Sequence, residues 1–214
     1  MKCNNIQAIL FDIDGTLLDT TELIFRCYEH TITICNLSPK TRKEISTTSG
    51  EPLEVCYRQL FPNEDITKLS EIHMSFQEKN LSLSKRFNNV ASTLRNLKDK
   101  GFKIAAVTTR SKRTSTKSLE INNIASFMDV IISREDVVNP KPHPDALIKA
   151  LKHLNVSPDH AVMVGDTPID IKAGKNAKMM TIGVSYGPLG NAVKSVDPDM
   201  LISDISEIIS LIKH

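Results

Sequence analysis

The sequence predicts an α/β fold: a doubly wound parallel sheet, with an all-helical block inserted after its first strand. Three observations predict it. Short apolar runs alternate with amphipathic ones along most of the chain. The runs are short and apolar throughout, as strands buried on both faces require. The stretch from Thr20 to about Arg86 breaks the alternation and contains no convincing strand.

The first strand is read at Ile6 to Phe11, stopping at Asp12. The helical block follows, with helices expected at Thr21 to about Ile34, Thr41 to Thr47, Pro52 to Leu60 and about Asp65 to Leu83. Breaks at Ser38-Pro39, Gly50-Glu51-Pro52 and Phe61-Pro62-Asn63 separate them. Later strands are read at Lys103 to Val107, Val130 to Ile132, His160 to Val164 and Met179 to Gly183. Leu147, Ala150, Leu151 and Leu154 recur at helical spacing, as do Ile205, Ile208, Ile209 and Ile212. Strand and helix in alternation make a doubly wound domain, and the block beside it reads as a small second domain.

The chain as a whole excludes several classes. Its 214 residues suffice for a real core. A net charge of +2 gives no reason to expect nucleic acid or an acidic membrane as partner. No apolar run is long enough to span a bilayer, and the polar Met1 to Gln7 does not read as a signal peptide, so a cytoplasmic protein, monomer or homodimer, is expected. Cys3, Cys27, Cys35 and Cys56 form no CxxC pair and read as free thiols.

Chemistry-bearing residues gather at strand ends, where open α/β sheets bind ligands. The first strand runs into Asp12-Ile13-Asp14-Gly15-Thr16. Paired carboxylates there can hold a hard cation and supply a nucleophile and an acid, and Gly15 permits a sharp turn. A plain Asp/Gly turn is the alternative. A second apolar strand ends in Gly165-Asp166-Thr167-Pro168-Ile169-Asp170, with Pro168 suited to a helix start and Asp170 to its first turn. Two acidic strand ends can converge on one Mg²⁺. Val107-Thr108-Thr109-Arg110-Ser111 offers hydroxyls and free N–H groups at a helix start, either a phosphate cradle or a simple cap. Asn139-Pro140-Lys141-Pro142-His143-Pro144 stiffens a loop that presents one lysine, either toward acidic oxygens or to solvent.

In this order, DIDGT, VTTR, NPKPHP and GDTPID resemble the phosphatase branch of the haloacid dehalogenase-like superfamily, over essentially all 214 residues. The resemblance implies a Rossmann-like core of residues 1–17 and 87–214. It implies an α-helical cap of residues 18–86, as in phosphoglycolate phosphatase, β-phosphoglucomutase and PpaX-type pyrophosphatases. It implies that Asp12 attacks phosphorus, and that Asp14 protonates the leaving oxygen and then activates water. By the same resemblance Thr108 and Lys141 hold the phosphoryl group. Gly15, Thr16, Gly50, Thr109 and Arg110 contribute to substrate or phosphate binding. Asp12, the Asp14 main-chain carbonyl and Asp166 would coordinate Mg²⁺, with Asp170 supporting the ion or positioning Lys141.

The activity implied is Mg²⁺-dependent hydrolysis of a small phosphorylated metabolite, a phosphoglycolate-like monoester. The alternatives are a pyrophosphatase, a β-phosphoglucomutase-like mutase and a non-catalytic regulatory protein. Dehalogenase chemistry is disfavoured by Asp14, and phosphonatase chemistry by the absence of lysine from Ile13 through Pro39. The loop Thr47 to Pro52 carries no cation for a mutase's second phosphate, whereas the directions of nearby Arg42, Lys43 and Arg58 are open. Linkers near Leu17 to Thr21 and Ser84 to Asn89 are expected to let the cap open and close.

Overall fold

A computed structural model describes residues 5–212, so Cys3 and most of the polar N-terminus lie outside the described residues. The chain opens with β1 (Ala8–Phe11) and β2 (Leu18–Asp19). Four helices follow: α1 (Thr21–Ile34), α2 (Arg42–Ser46), α3 (Leu53–Leu60) and α4 (Ile66–Lys79). Then come β3 (Lys85–Arg86), α5 (Val90–Asp99), β4 (Lys103–Val107), α6 (Lys112–Ile121), β5 (Val130–Ile132), α7 (Asp145–Leu154), β6 (Ala161–Gly165), α8 (Pro168–Asn176), β7 (Met180–Val184) and β8 (Met200–Ile202).

Six strands form one parallel sheet in the order β5-β4-β1-β6-β7-β8. From β1 the chain winds outward to β4 and β5, crosses back to β6, and winds the other way. The reversal lies between β1 and β6, where doubly wound sheets open a crevice at the strand carboxyl ends. Alternate residues of β1 serve opposite faces. Ile9 and Phe11 pack with Leu94 and Leu97 of α5, while Ala8 and Leu10 pack with Leu147 and Leu151 of α7. Both faces are therefore covered, which is why the strands are apolar runs without polar alternation. Each leucine buried this way contributes roughly 1.5–3 kcal/mol.

The inserted helices have an apolar cluster of their own, built from Phe25, Tyr28, Ile45, Tyr57, Phe61 and Leu69. Entry and exit of this block pair as a two-stranded antiparallel ribbon, Leu18 opposite Arg86 and Asp19 opposite Lys85. The expectation of no strand from Thr20 to Arg86 thus needs correction at its last two residues. The helix expected to run from Asp65 to Leu83 ends at Lys79, and a 3₁₀ turn follows over Leu81–Leu83.

Two further differences concern the C-terminal part. A sixth strand, β8, was not foreseen; three residues between Asp199 and Ser203 give too short a pattern to separate from a loop. The isoleucines from Ile205 to Ile212 form a 3₁₀ turn and one short helix, yet Ile205, Ile208 and Ile212 are buried as their spacing implied. Among the described residues no helix is long and apolar enough to cross a membrane, and Cys27, Cys35 and Cys56 are free thiols.

Candidate active site

Asp12 continues the β1 ladder, its N–H donating to the Val164 carbonyl at 2.9 Å. The chain then doubles back: the N–H groups of Leu17 and Leu18 both donate to the Ile13 carbonyl, at 3.0 and 2.9 Å. Gly15 makes this possible with φ +82°, and a side chain there would meet the Asp166 carboxylate, Oδ1 at 2.7 Å. Glycine is thus required both for the turn and for the close approach of the two acidic strand ends. Tyr186 braces the turn from behind, donating its hydroxyl to the Thr16 carbonyl at 2.8 Å.

On the neighbouring strand, β6 ends at Gly165 and Asp166. Thr167 caps α8, and its N–H and hydroxyl donate to Asp170 Oδ2 at 3.1 and 2.6 Å; the Asp170 N–H donates to the Thr167 hydroxyl at 3.3 Å. This capping box leaves Asp170 Oδ1 for the Lys141 ammonium, 2.6 Å away. Lys141 donates also to Asp12 Oδ1 at 2.6 Å and to the Val107 carbonyl at 3.0 Å. Its three N–H bonds are matched by three acceptors. Among the described residues, Asp12 Oδ2 accepts no hydrogen bond.

Asp12, Asp166 and Asp170 are each buried, and one carboxylate oxygen from each lies within 4.8 Å of the others. Three carboxylates against the single ammonium of Lys141 leave two negative charges when all are ionised. Burial and the neighbouring acids Asp170 and Asp14 push the Asp12 carboxyl up to about 7, against the pull of Lys141. Asp166 is raised well above the carboxylate range, by burial first and then by Asp170, Asp12 and Asp14. Burial pulls Lys141 down, but Asp12 and Asp170 outweigh it, so the amine stays an ammonium. An all-oxygen donor set with two surplus negative charges fits a hard divalent cation.

The Asp14 carboxylate turns away from this cluster and accepts from Arg110 Nη1 at 3.0 Å. Arg110 Nη2 is anchored on the Thr114 carbonyl at 3.2 Å and the Ser118 hydroxyl at 3.0 Å. The loop after β4 also touches the inserted block: Thr109 donates its hydroxyl to the Gly50 carbonyl at 3.1 Å. Gly50 itself has φ +92° and lies against Thr167.

These groups surround a cavity of about 340 Å³ between sheet edge and inserted helices. Of the residues singled out in the sequence, Asp12, Asp14, Gly15, Lys141, Asp166 and Asp170 line it from the sheet and Gly50, Thr109 and Arg110 from the loops above. Thr108 and Thr16 stand behind this lining. The Thr108 hydroxyl accepts from the Arg110 N–H at 3.2 Å, and Thr16 donates to Asp166 Oδ1 at 3.4 Å. Sequence reading missed Tyr28, His73 and Gln77, which line the cavity from the inserted helices, and Arg134, which lines it from the loop after β5. A signal existed in α4, where His73 and Gln77 follow Leu69 at four-residue steps on the buried face. Polar residues on such a face ask for a partner. His73 has one in Tyr57, whose hydroxyl lies 2.9 Å from Nδ1.

A family model described as haloacid dehalogenase-like hydrolase matches residues 9–184. The chain belongs to this family. As a haloacid dehalogenase-like hydrolase it is an enzyme, and it has whole-length relatives. It is 33% identical over 210 residues to the pyrophosphatase PpaX of Anoxybacillus flavithermus, covering 97% of each chain. It is 34% identical over 213 residues to the pyrophosphatase PpaX of Oceanobacillus iheyensis, again with 97% of each covered. A haloacid dehalogenase-like family hydrolase of Streptococcus pneumoniae shares the fold with a TM-score of 0.86, at 22% identity, over 96% of this chain and 98% of that one.

Proposed function

We propose that this hydrolase cleaves a small phosphorylated metabolite through transient phosphorylation of Asp12, with Mg²⁺ as cofactor. The observation that carries the reading is Asp12 itself. One oxygen is fixed by Lys141 while the other accepts no hydrogen bond among the described residues, in the lining of a cavity that Asp14 also lines. A carboxylate held at one oxygen is aimed for attack with the other.

In the first step an Asp12 oxygen bonds to phosphorus, the bond to the leaving oxygen breaks, and Asp14 gives that oxygen a proton. In the second, Asp14 takes a proton from water, the water oxygen bonds to phosphorus, and the Asp12–phosphorus bond breaks to release phosphate. Lys141 supplies fixed charge, and the Thr108 hydroxyl with backbone N–H groups of the loop after β4 supplies donors for the phosphoryl oxygens. Asp12, Asp166 and the Asp14 carbonyl would hold Mg²⁺, with Asp170 positioning Lys141. Bound there, the ion offsets repulsion between the attacking carboxylate and the phosphoryl oxygens. Residues 18–86 serve as a cap whose inner wall chooses the substrate and excludes water during the first step. Free thiols at Cys27, Cys35 and Cys56 suit a cytoplasmic setting.

For the substrate, whole-length relatives named pyrophosphatase put inorganic pyrophosphate first. A short phosphomonoester, the class of phosphoglycolate, is the second reading: apolar cap residues such as Ile24, Ile45 and Leu53 in the cavity wall suit a carbon portion that pyrophosphate lacks. A mutase is disfavoured. Arg42 is taken up by Glu22 at 3.2 Å and by the Phe25 ring at 4.6 Å, and neither it, Lys43 nor Arg58 lines the cavity. The test is phosphate release from pyrophosphate, 2-phosphoglycolate and sugar phosphates, with and without Mg²⁺, beside Asp12→Asn. Metal-dependent release that vanishes in the variant is expected. Release that survives in Asp12→Asn would overturn the mechanism.

A further inference from the structure

The inserted helices present two polar side chains to the cavity for which the fold itself provides no partner. His73 and Gln77 lie four residues apart on the buried face of α4, 3% and 8% exposed, and both line the cavity. Residues at that spacing are neighbours on one helix face. The His73 ring is fixed in place. Tyr28 and Tyr57 pack edge-on against it, with centroids 5.0 and 5.6 Å away, and the Tyr57 hydroxyl lies 2.9 Å from Nδ1. Among the described residues the other ring nitrogen, Nε2, has no hydrogen-bond partner, and neither has the Gln77 side-chain amide. These ends are not sealed in either. The fully enclosed side-chain atoms without a partner are elsewhere, on Ser70, Ser84, Thr93, Arg110 and Arg134. Packing alone does not call for such a pair, since buried polar groups in folded proteins are matched and a leucine at either position would avoid the desolvation cost.

The pair has a defined chemistry. Burial and then Arg110 hold His73 near 3, so its imidazole is neutral. If Tyr57 donates to Nδ1, Nε2 carries the proton and donates; if the Nδ1 proton is donated to Tyr57, Nε2 accepts. The Gln77 amide supplies donors and an acceptor in either case. A phosphate or carboxylate oxygen can only accept, and would leave the Gln77 acceptor unmet. A hydroxyl both donates and accepts, and needs no counter-charge. The cavity, about 340 Å³, lies at the small end for ligand sites and suits a short chain rather than a nucleoside.

We propose that His73 and Gln77 bind a hydroxyl on the leaving alcohol, so that this hydrolase takes short phosphate esters whose alcohol carries a further hydroxyl group. The class is additional to pyrophosphate and to 2-phosphoglycolate, neither of which offers a hydroxyl there. This inference rests on the phosphohydrolase reading above, since the pair lines the same cavity as Asp12 and Asp14.

The test is the ratio of kcat/KM for glycerol 3-phosphate to kcat/KM for propyl phosphate, which has the same carbon chain without the hydroxyls. It is measured with Mg²⁺ in wild type, Gln77→Met and His73→Leu. Wild type is expected to prefer glycerol 3-phosphate. A neutral hydrogen bond contributes roughly 2- to 12-fold, and the ratio should fall by about that factor in each variant. A wild-type ratio near one overturns the proposal. So does a ratio that stays unchanged while both esters slow alike, which would give the pair a purely structural role. Should His73→Leu not fold, the ratio in Gln77→Met decides alone. Release of phosphate from pyrophosphate but from neither ester would sink this inference and leave the phosphohydrolase reading standing. No release from any of the three by folded wild-type protein would be the failure of that reading, and would take this inference with it.

Discussion

The Lys141 ammonium and the Asp12 carboxylate lie 2.6 Å apart, with side chains only 3% and 9% exposed. A charge pair this dry is costly to make and costlier to break. Lys141→Met would leave Asp12, Asp166 and Asp170 without a counter-charge. A loss of about 3–5 kcal/mol in stability is expected at pH 8 without metal. The loss should shrink at pH 5, where Asp12 and Asp166, both raised first by burial, take up protons. Urea unfolding at both pH values checks this; equal losses would mean that Lys141 is held by packing more than by charge.

Asp12→Asn should behave in the opposite sense. The folded-state carboxyl, pushed up to about 7 by burial and neighbouring acids, exceeds its ordinary 3.8. Between these values the folded state binds the extra proton, so this group's contribution is complete below 3.8 and is lost as pH rises through about 7. Asparagine mimics the protonated acid at every pH. The variant should therefore melt above wild type at pH 8 in metal-free buffer, and with it near pH 4. Added Mg²⁺ should raise the wild-type melting temperature more than the variant's. Equal shifts would place the cation elsewhere.

Gly187 and Tyr186 hold the turn behind Asp12 and Asp14. A Cβ on Gly187 would collide with the Gly15 carbonyl and come within 2.7 Å of Asp166 Cβ. The backbone atom cannot swing aside, so Gly187→Ala must displace the turn or the acid. A misplacement of about 1 Å can cost roughly 100-fold in rate, against about 1–3 kcal/mol in stability. Tyr186→Phe removes only the 2.8 Å bond to the Thr16 carbonyl and should cost about 1 kcal/mol. kcat and melting temperature for both variants check the order; a Tyr186→Phe loss in kcat as large as that of Gly187→Ala would contradict it.

How much of this was legible depended on how far apart the partners lie in the chain. Asp12 to Thr16 and Asp166 to Asp170 each concentrate their chemistry in five residues, so strand, turn and acids are visible together. The strand pattern was visible for a related reason, since burial on both faces removes polar residues locally. The Arg110–Asp14 pair spans 96 positions, and nothing local to either residue announces it. The triple use of Lys141 needs Val107, Asp12 and Asp170 to meet, which only the sheet order arranges. The cavity wall formed by the inserted helices was hidden differently. Tyr28 and His73 look like ordinary positions of amphipathic helices until the helices pack. β8 was lost because three residues at a sheet edge carry no period.

His73 offers a pH signature of the helical block where it faces Arg110. It is 3% exposed, packs edge-on against Tyr28 and Tyr57, and is lowered from 6.5 to about 3 by burial and then by Arg110. Between those values the unfolded chain binds a proton that the folded one refuses. Its contribution is thus complete above 6.5 and is lost as pH falls toward 3. The slope is about 1.4 kcal/mol per pH unit, or roughly 2 kcal/mol lost by pH 5. His73→Leu forfeits the bond shared with the Tyr57 hydroxyl, about 1 kcal/mol, but has nothing to titrate. Wild type should therefore be the more stable at pH 7.5 and the less stable at pH 4.5. Other groups, Asp12 included, titrate in both proteins and cancel in the difference. Parallel stability curves across that range would show that His73 takes up its proton inside the fold as readily as outside it.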